Sequence, residues 1–178
     1  ALTLEDINEV EAAYHTQWRT GKNLILMVGF NRRFAPLVMT IKELLDTKVQ
    51  PKSIIYTVNA GSLPQDHWIG DPKVGGGRIV GEVCHFVDII RHLVGLPIQS
   101  FQAINPIPSS HIAMGKEERA TINLVFSDGS TGTIHYFANG SRKFPKERLE
   151  IFCGNGVLQL DNFRALKGYG WPGFKRKF

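Results

Sequence analysis

Apolar residues near the start of the chain recur at spacings of three and four, the period of a helix with one apolar face. This spacing predicts an amphipathic helix. Thr3 followed by Asp6 is typical of an N-terminal helix cap, and Gly21 is expected to end the helix. The continuous apolar run over residues 24–28 then predicts a fully buried strand. The apolar face of the helix is formed by Ile7, Val10, Tyr14 and Trp18.

A helix, a short loop and a buried apolar strand together make half of a βαβ unit. The other half would need a preceding strand, which this sequence does not contain. Residues 1–30 are therefore interpreted as the tail of a doubly wound, parallel α/β domain, with the domain boundary near residues 28–34. Because the chain does not begin with Met, we expect it to start inside a longer product, and we expect more chain to follow its basic C-terminal tail.

The middle of the chain predicts two more helices with a strand between them. Apolar residues at helical spacing follow Pro36, which suits a first helical turn. Residues 52–59 carry the β-branched and aromatic pattern of a strand. A loop rich in Gly and Pro covers residues 61–77, and a third helix is predicted over residues 78–94, where Gly95 stops it.

Short β-type runs separated by turn signatures make up the rest of the chain. A succession of turn-linked strands after helices is typical of an α+β unit with a largely antiparallel sheet. We therefore predict an α+β domain over residues 31–178, with helices packed on the sheet. The predicted strands in this part are 121–126, 131–137, 148–152 and 157–160.

Composition is that of an ordinary globular protein. Hydrophobic residues make up 43% of the chain and charged residues 21%, close to average usage. No apolar run approaches the ~18 residues needed to cross a bilayer, and the N-terminus lacks the pattern of a signal peptide. Two cysteines, Cys84 and Cys153, are too few for a disulfide framework, and both are predicted to be buried free thiols. These features predict a cytoplasmic protein with no membrane partner.

A net charge of +5 leaves a nucleic-acid surface open as an alternative. Basic residues cluster at 142–143, at Lys146 and at 175–177, with aromatic residues nearby in sequence. No recognised nucleic-acid motif accompanies them, so we expect no nucleic-acid partner. The charge could equally reflect a missing acidic partner segment.

The predicted helix over residues 78–94 contains a histidine with carboxylates at helical spacing. His85 falls on the side opposite the apolar face, with Glu82 three residues before it and Asp88 three residues after it. A histidine titrates near neutrality, and a neighbouring carboxylate can fix its tautomer, so this group suits general acid/base chemistry. An incidental surface ion pair is the competing interpretation.

Three glycines, residues 75–77, come directly before this helix. They would let a ligand approach the backbone and the positive helix N-terminus closely. The spacing of His85, Asp88 and His92 would also suit zinc, but no fourth ligand accompanies them on that face, so no metal site is predicted.

Three motifs together resemble one enzyme family. The segment Gly29-Phe30-Asn31-Arg32-Arg33-Phe34, the glycines 75–77 and His85 with Asp88 are similar to those of the glucose–fructose oxidoreductase/inositol dehydrogenase/MocA family. The resemblance covers nearly the whole chain. It implies a Rossmann domain for NAD or NADP that lies mostly outside this chain, in which no G-x-G-x-x-G follows a strand. It also implies a C-terminal α/β domain whose large open sheet holds the substrate and often builds the oligomer interface.

Carried over by position, the resemblance makes His85 the catalytic histidine, which faces the substrate hydroxyl or carbonyl and helps to move its proton. The family usually has an aspartate four residues earlier, where this sequence has Gly81 beside Glu82. Either Glu82 replaces that carboxylate, or the proton relay works differently. Glu82 and Asp88 are therefore the residues predicted to tune His85.

Further binding residues are predicted in the loops and at the strand ends. The resemblance places Asn31 and Arg32 near the nicotinamide or the substrate, with interdomain salt bridges as the alternative for Arg32 and Arg33. Trp68 offers an aromatic face that suits a sugar, or else it plugs its own loop. Lys146 is a weaker candidate within a solvated charge run. The predicted substrate-binding residues are Asn31, Arg32, Asn59, His67, Trp68, Arg78 and Tyr136, of which Asn31 and Arg32 also serve the cofactor.

The sequence thus predicts the C-terminal part of an NAD(P)-dependent oxidoreductase that acts on a secondary alcohol or ketone of a sugar, cyclitol or sugar nucleotide. The chain alone is expected to be inactive, and the whole protein to be a homo-oligomer through the open sheet face. The alternative is a non-catalytic ligand-binding or dimerisation module of the same fold, in which Gly81 records the loss of the usual carboxylate.

Overall fold

The computed structural model describes residues 3–21, 24–64, 67–71, 73–105 and 118–178. It contains three α-helices, α1 (Leu4–Arg19), α2 (Pro36–Asp46) and α3 (Arg78–Val94). Two short 3-10 helices, Asn31–Phe34 and Trp68–Gly70, lie in the connections. The strands are β1 (Ser53–Asn59), β2 (Ile98–Ile104), β3 (Arg119–Phe126), β4 (Thr131–Phe137), β5 (Glu147–Cys153), β6 (Gly156–Asp161), β7 (Ala165–Tyr169) and β8 (Arg176–Lys177).

Helix α1 begins at the predicted cap. The Thr3 hydroxyl accepts a hydrogen bond from the Asp6 amide at 3.1 Å, and the Asp6 carboxylate accepts one from the Thr3 amide at 3.1 Å. These bonds satisfy two amides that the start of a helix otherwise leaves without partners. No residue of α1 is buried. Within the described ranges, no helix has both the length and the apolar character required to span a bilayer.

The prediction of a buried strand over residues 24–28 is wrong. The segment forms no strand, and Ile25 and Met27 expose 94% and 80% of their full accessible area. A strand needs a neighbour to take its backbone hydrogen bonds. The strands in the described part of the chain form one sheet that does not include this segment. The apolar run therefore has no strand to pair with there.

One eight-stranded sheet, in the order β2-β3-β4-β1-β5-β6-β7-β8, organises the rest of the fold. Strand β1 lies in its interior, where it pairs parallel with β4 and antiparallel with β5. Every other neighbouring pair is antiparallel. This arrangement confirms the predicted α+β class with a largely antiparallel sheet.

Alternating burial along the strands separates the two faces of the sheet. In β1, Tyr56 and Val58 are buried, whereas Ile55 and Thr57 are not. The buried face packs against α2 and α3 in one apolar core. The opposite face is open, and its side chains are partly exposed. The largest fully buried side chains of the core include Tyr56, Tyr136, Phe86 and Phe126.

Three strands were not predicted from the sequence. Strand β2 forms one edge of the sheet, and β7 with β8 forms the other. The sequence of β2, IQSFQAI, lacks the strict alternation of apolar and polar residues that marks a half-buried strand, and its residues are mostly exposed in the structure. Strand β8 is only two residues long, which is too short to leave a pattern.

The two cysteines differ in exposure. Cys153 is buried at the end of β5, as predicted, but Cys84 is exposed on α3. The prediction of a buried thiol is therefore wrong for Cys84. An apolar neighbourhood in sequence does not fix which side of a helix a residue occupies, because successive helical residues are 100° apart.

Candidate active site

Helix α3 starts on a side-chain cap that the sequence did not indicate. The backbone N–H of Ile79 donates to Oε2 of Glu118 at 2.9 Å, and a Cβ at Gly77 would lie 2.9 Å from Oε1 of the same carboxylate. Gly77 itself has φ 90°, a conformation that favours glycine. Glu118 thus occupies one of the amides at this helix N-terminus, and the approach of a ligand over the glycines stays a prediction.

His85 lies on α3, half-buried, with its ring edge-on to the ring of Phe30 at a centroid distance of 5.6 Å. Its Nδ1 atom is buried and has no hydrogen-bond partner in the described part of the chain. Burial lowers the pKa of the imidazole, and the positive charge of Arg32 lowers it further. The site thus presents a neutral imidazole at pH 7.

Asp88 is buried and paired with an arginine of the first 3-10 helix. Its Oδ2 accepts from Nε of Arg33 at 3.0 Å, and its Oδ1 accepts from Nη2 of the same residue. Asp88 therefore acts on His85 only through its charge, which raises the histidine pKa. Asp88 and Arg78 are both buried: Asp88 pairs with Arg33, and Arg78 donates to the carbonyls of Ala60 and Gly61.

Glu82 holds three other polar groups. Its Oε2 accepts from the Tyr136 hydroxyl at 3.0 Å and lies 4.0 Å from Nζ of Lys146, and its Oε1 lies 3.4 Å from Nε of Arg78. Within the described ranges, neither Glu82 nor Asp88 forms a hydrogen bond with the His85 ring. The charge of Glu82 raises the His85 pKa, as does that of Asp88.

The side chain of Ile69 packs against the position where the family usually has an aspartate. A Cβ at Gly81 would lie 3.3 Å from Cδ1 of Ile69 and 3.4 Å from the carbonyl oxygen of Gly75. Gly75 allows this approach, since a Cβ there would lie 2.3 Å from the Ile69 backbone. The glycine at 81 and the glycine at 75 thus both serve the close packing of the second 3-10 helix on α3.

Arg78 and Tyr136 are buried, and most of their polar atoms are hydrogen-bonded; Nε of Arg78 has no hydrogen-bond partner in the described part of the chain. The guanidinium of Arg78 donates from Nη1 to the carbonyl of Gly61 at 2.5 Å and from Nη2 to that of Ala60 at 3.1 Å. It also lies 5.6 Å from the centre of the Tyr136 ring. These contacts fasten α3 to the end of β1, and they leave substrate binding by either side chain as an untested prediction.

Asn59, His67 and Trp68 lie in or beside the loops near the start of α3. The Asn59 amide donates to the carbonyls of Ser141 and Phe144 at 2.8 and 3.3 Å, and so supports that loop. Nδ1 of His67 accepts from the Ile69 amide at 3.3 Å, and the His67 and Trp68 rings lie 5.8 Å apart. Of the three, Trp68 is the side chain with a large free surface, since 61% of it is exposed.

Arg32 forms a buried network with two residues that the sequence did not single out. Its Nε and Nη2 donate to the two carboxylate oxygens of Glu147 at 2.9 and 2.8 Å. The hydroxyl of Tyr56 donates to Oε2 of Glu147 at 2.5 Å. Glu147 occupies the same alternation as buried Leu149 and Ile151 in β5, and this is the sequence signal that could have indicated a buried carboxylate.

In the described ranges, Arg32 and Arg33 thus form salt bridges with Glu147 and Asp88, both within residues 31–178. Asn31, beside them, is exposed. No group of three or more His, Cys, Asp or Glu side chains in the described ranges could hold a metal ion. The site thus consists of the half-buried, neutral imidazole of His85 on α3, a helix that ion pairs such as Asp88–Arg33 hold in place. A neutral imidazole held in one position suits proton transfer.

A family model described as the GFO/IDH/MocA C-terminal domain matches residues 39–159. The match covers more than half of the chain, so the chain belongs to the glucose–fructose oxidoreductase/inositol dehydrogenase/MocA family, as its motifs predicted. The matched range includes α3 with His85 and strand β5 with Glu147.

Named relatives of this chain are oxidoreductases. The uncharacterized oxidoreductase YrbE of Bacillus subtilis (strain 168) is 25% identical over 169 residues, which are 92% of this chain and 47% of the relative. Myo-inositol 2-dehydrogenase of Thermotoga maritima is 26% identical over 146 residues, 80% of this chain and 42% of the relative. The chain thus spans about half the length of these relatives. A levoglucosan dehydrogenase solved in complex with NADH and L-sorbose shares the fold, with a TM-score of 0.69 at 19% identity over 88% of this chain and 48% of that one.

Proposed function

We propose that this chain is the substrate-side domain of a nicotinamide-dependent oxidoreductase that acts on a secondary alcohol or ketone of a sugar, cyclitol or sugar nucleotide. Membership of the family and the dehydrogenases among its relatives support the reaction class. The observation that carries the proposal is His85, a half-buried histidine of α3 whose pKa is lowered by burial and by the charge of Arg32. A neutral imidazole can accept the proton of an alcohol.

The reaction divides into a proton transfer and a hydride transfer. In the oxidative direction, His85 takes the hydroxyl proton, the carbon loses a hydrogen with its electron pair, and a C=O bond forms. In the reductive direction, the imidazolium returns the proton to the oxygen. The nicotinamide, when bound, supplies the hydride acceptor or donor. The residues of this chain hold and move the proton.

The described residues offer little to the nucleotide itself. Asn31 has an exposed amide, but Arg32 is engaged with Glu147 through Nε and Nη2. The G-x-G-x-x-G pattern at residues 168–173 begins inside β7 and leads into β8 rather than into a helix, so it is not the dinucleotide turn of a Rossmann unit. We therefore place the binding of NAD or NADP mostly in a further domain of a longer protein, and the twofold greater length of the relatives supports this. The 178-residue chain alone is then inactive.

Trp68 is the best supported of the proposed sugar contacts. It is exposed and directly precedes Ile69, which packs on Gly81 one turn before His85. An aromatic face beside polar groups suits the apolar C–H surface of a sugar ring. Asn31, Asn59, His67, Arg78 and Tyr136 remain weaker proposals, because all but Asn31 have polar atoms engaged within the domain.

We also propose that the whole protein is a homo-oligomer through the open face of the sheet. Partly exposed apolar side chains on that face, Ile55, Val125, Phe137 and Phe152, support this proposal. Burying such side chains between two copies would be favourable. Light scattering on the intact protein and on Phe152→Glu tests it, and a monomeric wild type would contradict it.

The experiment that tests the function measures NAD(P)H absorbance with the intact protein over a panel of sugars, cyclitols and sugar nucleotides. His85→Ala is expected to lower turnover of the active compound by ~100-fold or more, as for loss of a general acid/base. His92→Ala is the matched control, a second half-buried histidine of α3, and should change turnover only a few-fold. Turnover unaffected by His85→Ala would reject the assignment of His85.

A non-catalytic binding or dimerisation module is the second candidate. The packing of Ile69 on Gly81 favours it, because the usual carboxylate is missing and neither Glu82 nor Asp88 hydrogen-bonds to His85 in the described structure. An intact protein that binds NAD(P)H but turns over no compound in the panel would support this candidate over the enzyme.

A further inference from the structure

Two buried polar side chains, Tyr56 and Glu147, and the half-buried Arg32 connect the first 3-10 helix to the sheet. Arg32 of the 3-10 helix makes a bidentate ion pair with Glu147 of β5, at 2.9 and 2.8 Å, and Tyr56 of β1 donates to the same carboxylate at 2.5 Å. The side chains of Glu147 and Arg32 expose 8% and 19% of their area. Bidentate charge-assisted pairs have a fixed geometry, so Arg32 is held in one position.

The same 3-10 segment contacts α3 at two adjacent residues. The guanidinium carbon of Arg32 lies 4.7 Å from the centre of the Phe86 ring. Two residues earlier in the chain, the Phe30 ring meets the His85 ring edge-on at 5.6 Å. Because both contacts depend on where residues 30–32 lie, the anchor on Glu147 also determines how His85 is packed.

We propose that Glu147 is a positioning residue for His85: its carboxylate holds Arg32 in place, which fixes the Phe30 contact with the imidazole and the cationic charge beside it. This inference rests on the proposed function in one respect, since it concerns the group assigned there to proton transfer. Glu147 itself is not a catalytic residue, because it acts on His85 from a distance, through its hold on Arg32 and through its own charge.

The charges around His85 come from three elements. Arg32 of the 3-10 helix favours the neutral imidazole, whereas Asp88 and Glu82 of α3 and Glu147 of β5 favour the imidazolium. Burial of the ring and the Arg32 charge outweigh the three carboxylates, so the His85 pKa lies below its ordinary value. The position and pairing of Arg32 are thus able to set the charge state of His85.

The test is a titration of the His85 ring by NMR in the intact protein, with the resonance assigned by its loss in His85→Gln. Glu147→Gln removes a negative charge and keeps the shape, so His85 should titrate about 0.5 pH unit or more lower. Arg32→Met should raise the midpoint by a similar amount. In the Arg32→Met background, Glu147→Gln should lower the His85 midpoint less, because it no longer acts through Arg32. The midpoint of the double variant should therefore lie between those of the two single variants and above that of the wild type.

Glu150→Gln is the matched control, because Glu150 lies on the same strand but its carboxylate pairs with Arg148 and Gln159. It should leave the His85 midpoint unchanged. An unchanged midpoint in Glu147→Gln, or a raised one, would overturn the inference. If Glu147→Gln does not fold, the double variant decides, since it buries no unpaired charge: a midpoint at or below that of the wild type would overturn the inference.

Kinetics separate this inference from the proposed function. The acidic limb of kcat/KM for alcohol oxidation should move to lower pH in Glu147→Gln, in step with the NMR midpoint. Turnover that is unaffected in His85→Ala would reject the catalytic assignment, whereas the NMR midpoints alone decide whether Glu147 controls His85.

Discussion

Ile69 packs against Gly81, with its Cδ1 atom 3.3 Å from where a Cβ at position 81 would lie. The side chain of Ile69 is itself 7% exposed. The family resemblance implies an aspartate at this position, one turn before the histidine; in this chain an apolar side chain of the second 3-10 helix packs beside it. The absence of the carboxylate is thus tied to a packing contact.

Gly81→Ala tests this contact. At an ordinary helix position, replacing glycine with alanine stabilises by about 1 kcal/mol. We expect no gain here, because the new Cβ crowds Ile69 and the Gly75 carbonyl. In an Ile69→Ala background the gain of about 1 kcal/mol should return. Urea unfolding measures both, and an equal effect in the two backgrounds would show that Ile69 does not limit position 81.

The Glu118 cap predicts a loss of stability on substitution. Glu118→Ala removes the acceptor of the Ile79 amide and should lower the free energy of unfolding by about 0.5–2 kcal/mol. Glu118→Gln keeps an acceptor but loses the charge near the helix N-terminus, so it should lose about 0.3–1 kcal/mol. Glu43→Ala, at an exposed position of α2, is the control and should stay within about 0.5 kcal/mol of the wild type.

The Asp88–Arg33 pair predicts a contrast with an exposed ion pair. Asp88→Asn leaves the Arg33 guanidinium without its bidentate partner and should cost about 1.5–3 kcal/mol. Asp46→Asn breaks the pair with Lys42 on the surface of α2 and should cost no more than about 0.5 kcal/mol. Chemical denaturation compares them, and equal losses would mean that burial adds nothing to the first pair.

The two half-buried histidines of α3 predict a loss of stability in mild acid. Burial lowers the pKa of both His85 and His92 below the ordinary 6.5, with Arg32 and Arg33 adding to the respective shifts. As the pH falls below 6.5, the unfolded chain takes up these protons first, so the free energy of unfolding decreases until the folded-state pKa values are passed. Above that range both rings are neutral in both states and contribute nothing.

Urea unfolding at about pH 7.5 and about pH 5.5 measures this effect. The double variant His85→Gln/His92→Gln should show a smaller decrease between the two pH values than the wild type. His15→Gln, at an exposed position of α1, is the control and should keep the wild-type decrease. A double variant as pH-sensitive as the wild type would assign the acid effect to other groups.

Local signals predicted much of this fold. The Thr3–Asp6 cap, Pro36 in the first turn of α2 and Gly95 after α3 each act within a few residues, and all three helices lie where these signals place them. The alternation of apolar residues located β1, β3, β4, β5 and β6 in the same way. These features depend only on neighbours in sequence.

The polar partners in the site could not be predicted, because they depend on contacts between distant residues. Arg32 and Glu147 are 115 positions apart, and Arg33 and Asp88 are 55 apart. The helical spacing places Asp88 near His85 but contains no information on Arg33, which donates hydrogen bonds to the Asp88 carboxylate. The prediction of a buried strand over residues 24–28 failed for the same reason, because the apolar residues of a segment do not show whether a partner strand is present.

The parallel pairing of β1 with β4 governs the order in which the protein can assemble. Residues 53–59 leave the ribosome before either neighbour exists, because β4 begins at residue 131 and β5 at residue 147. Both hydrogen-bonding edges of β1 therefore stay open while residues 60–130 are synthesised, several seconds at about 5–20 residues per second, and the β5 edge stays open until residue 147. The nascent chain is most vulnerable to misassociation during this interval, and α2 and α3 are the elements then able to shield its apolar side.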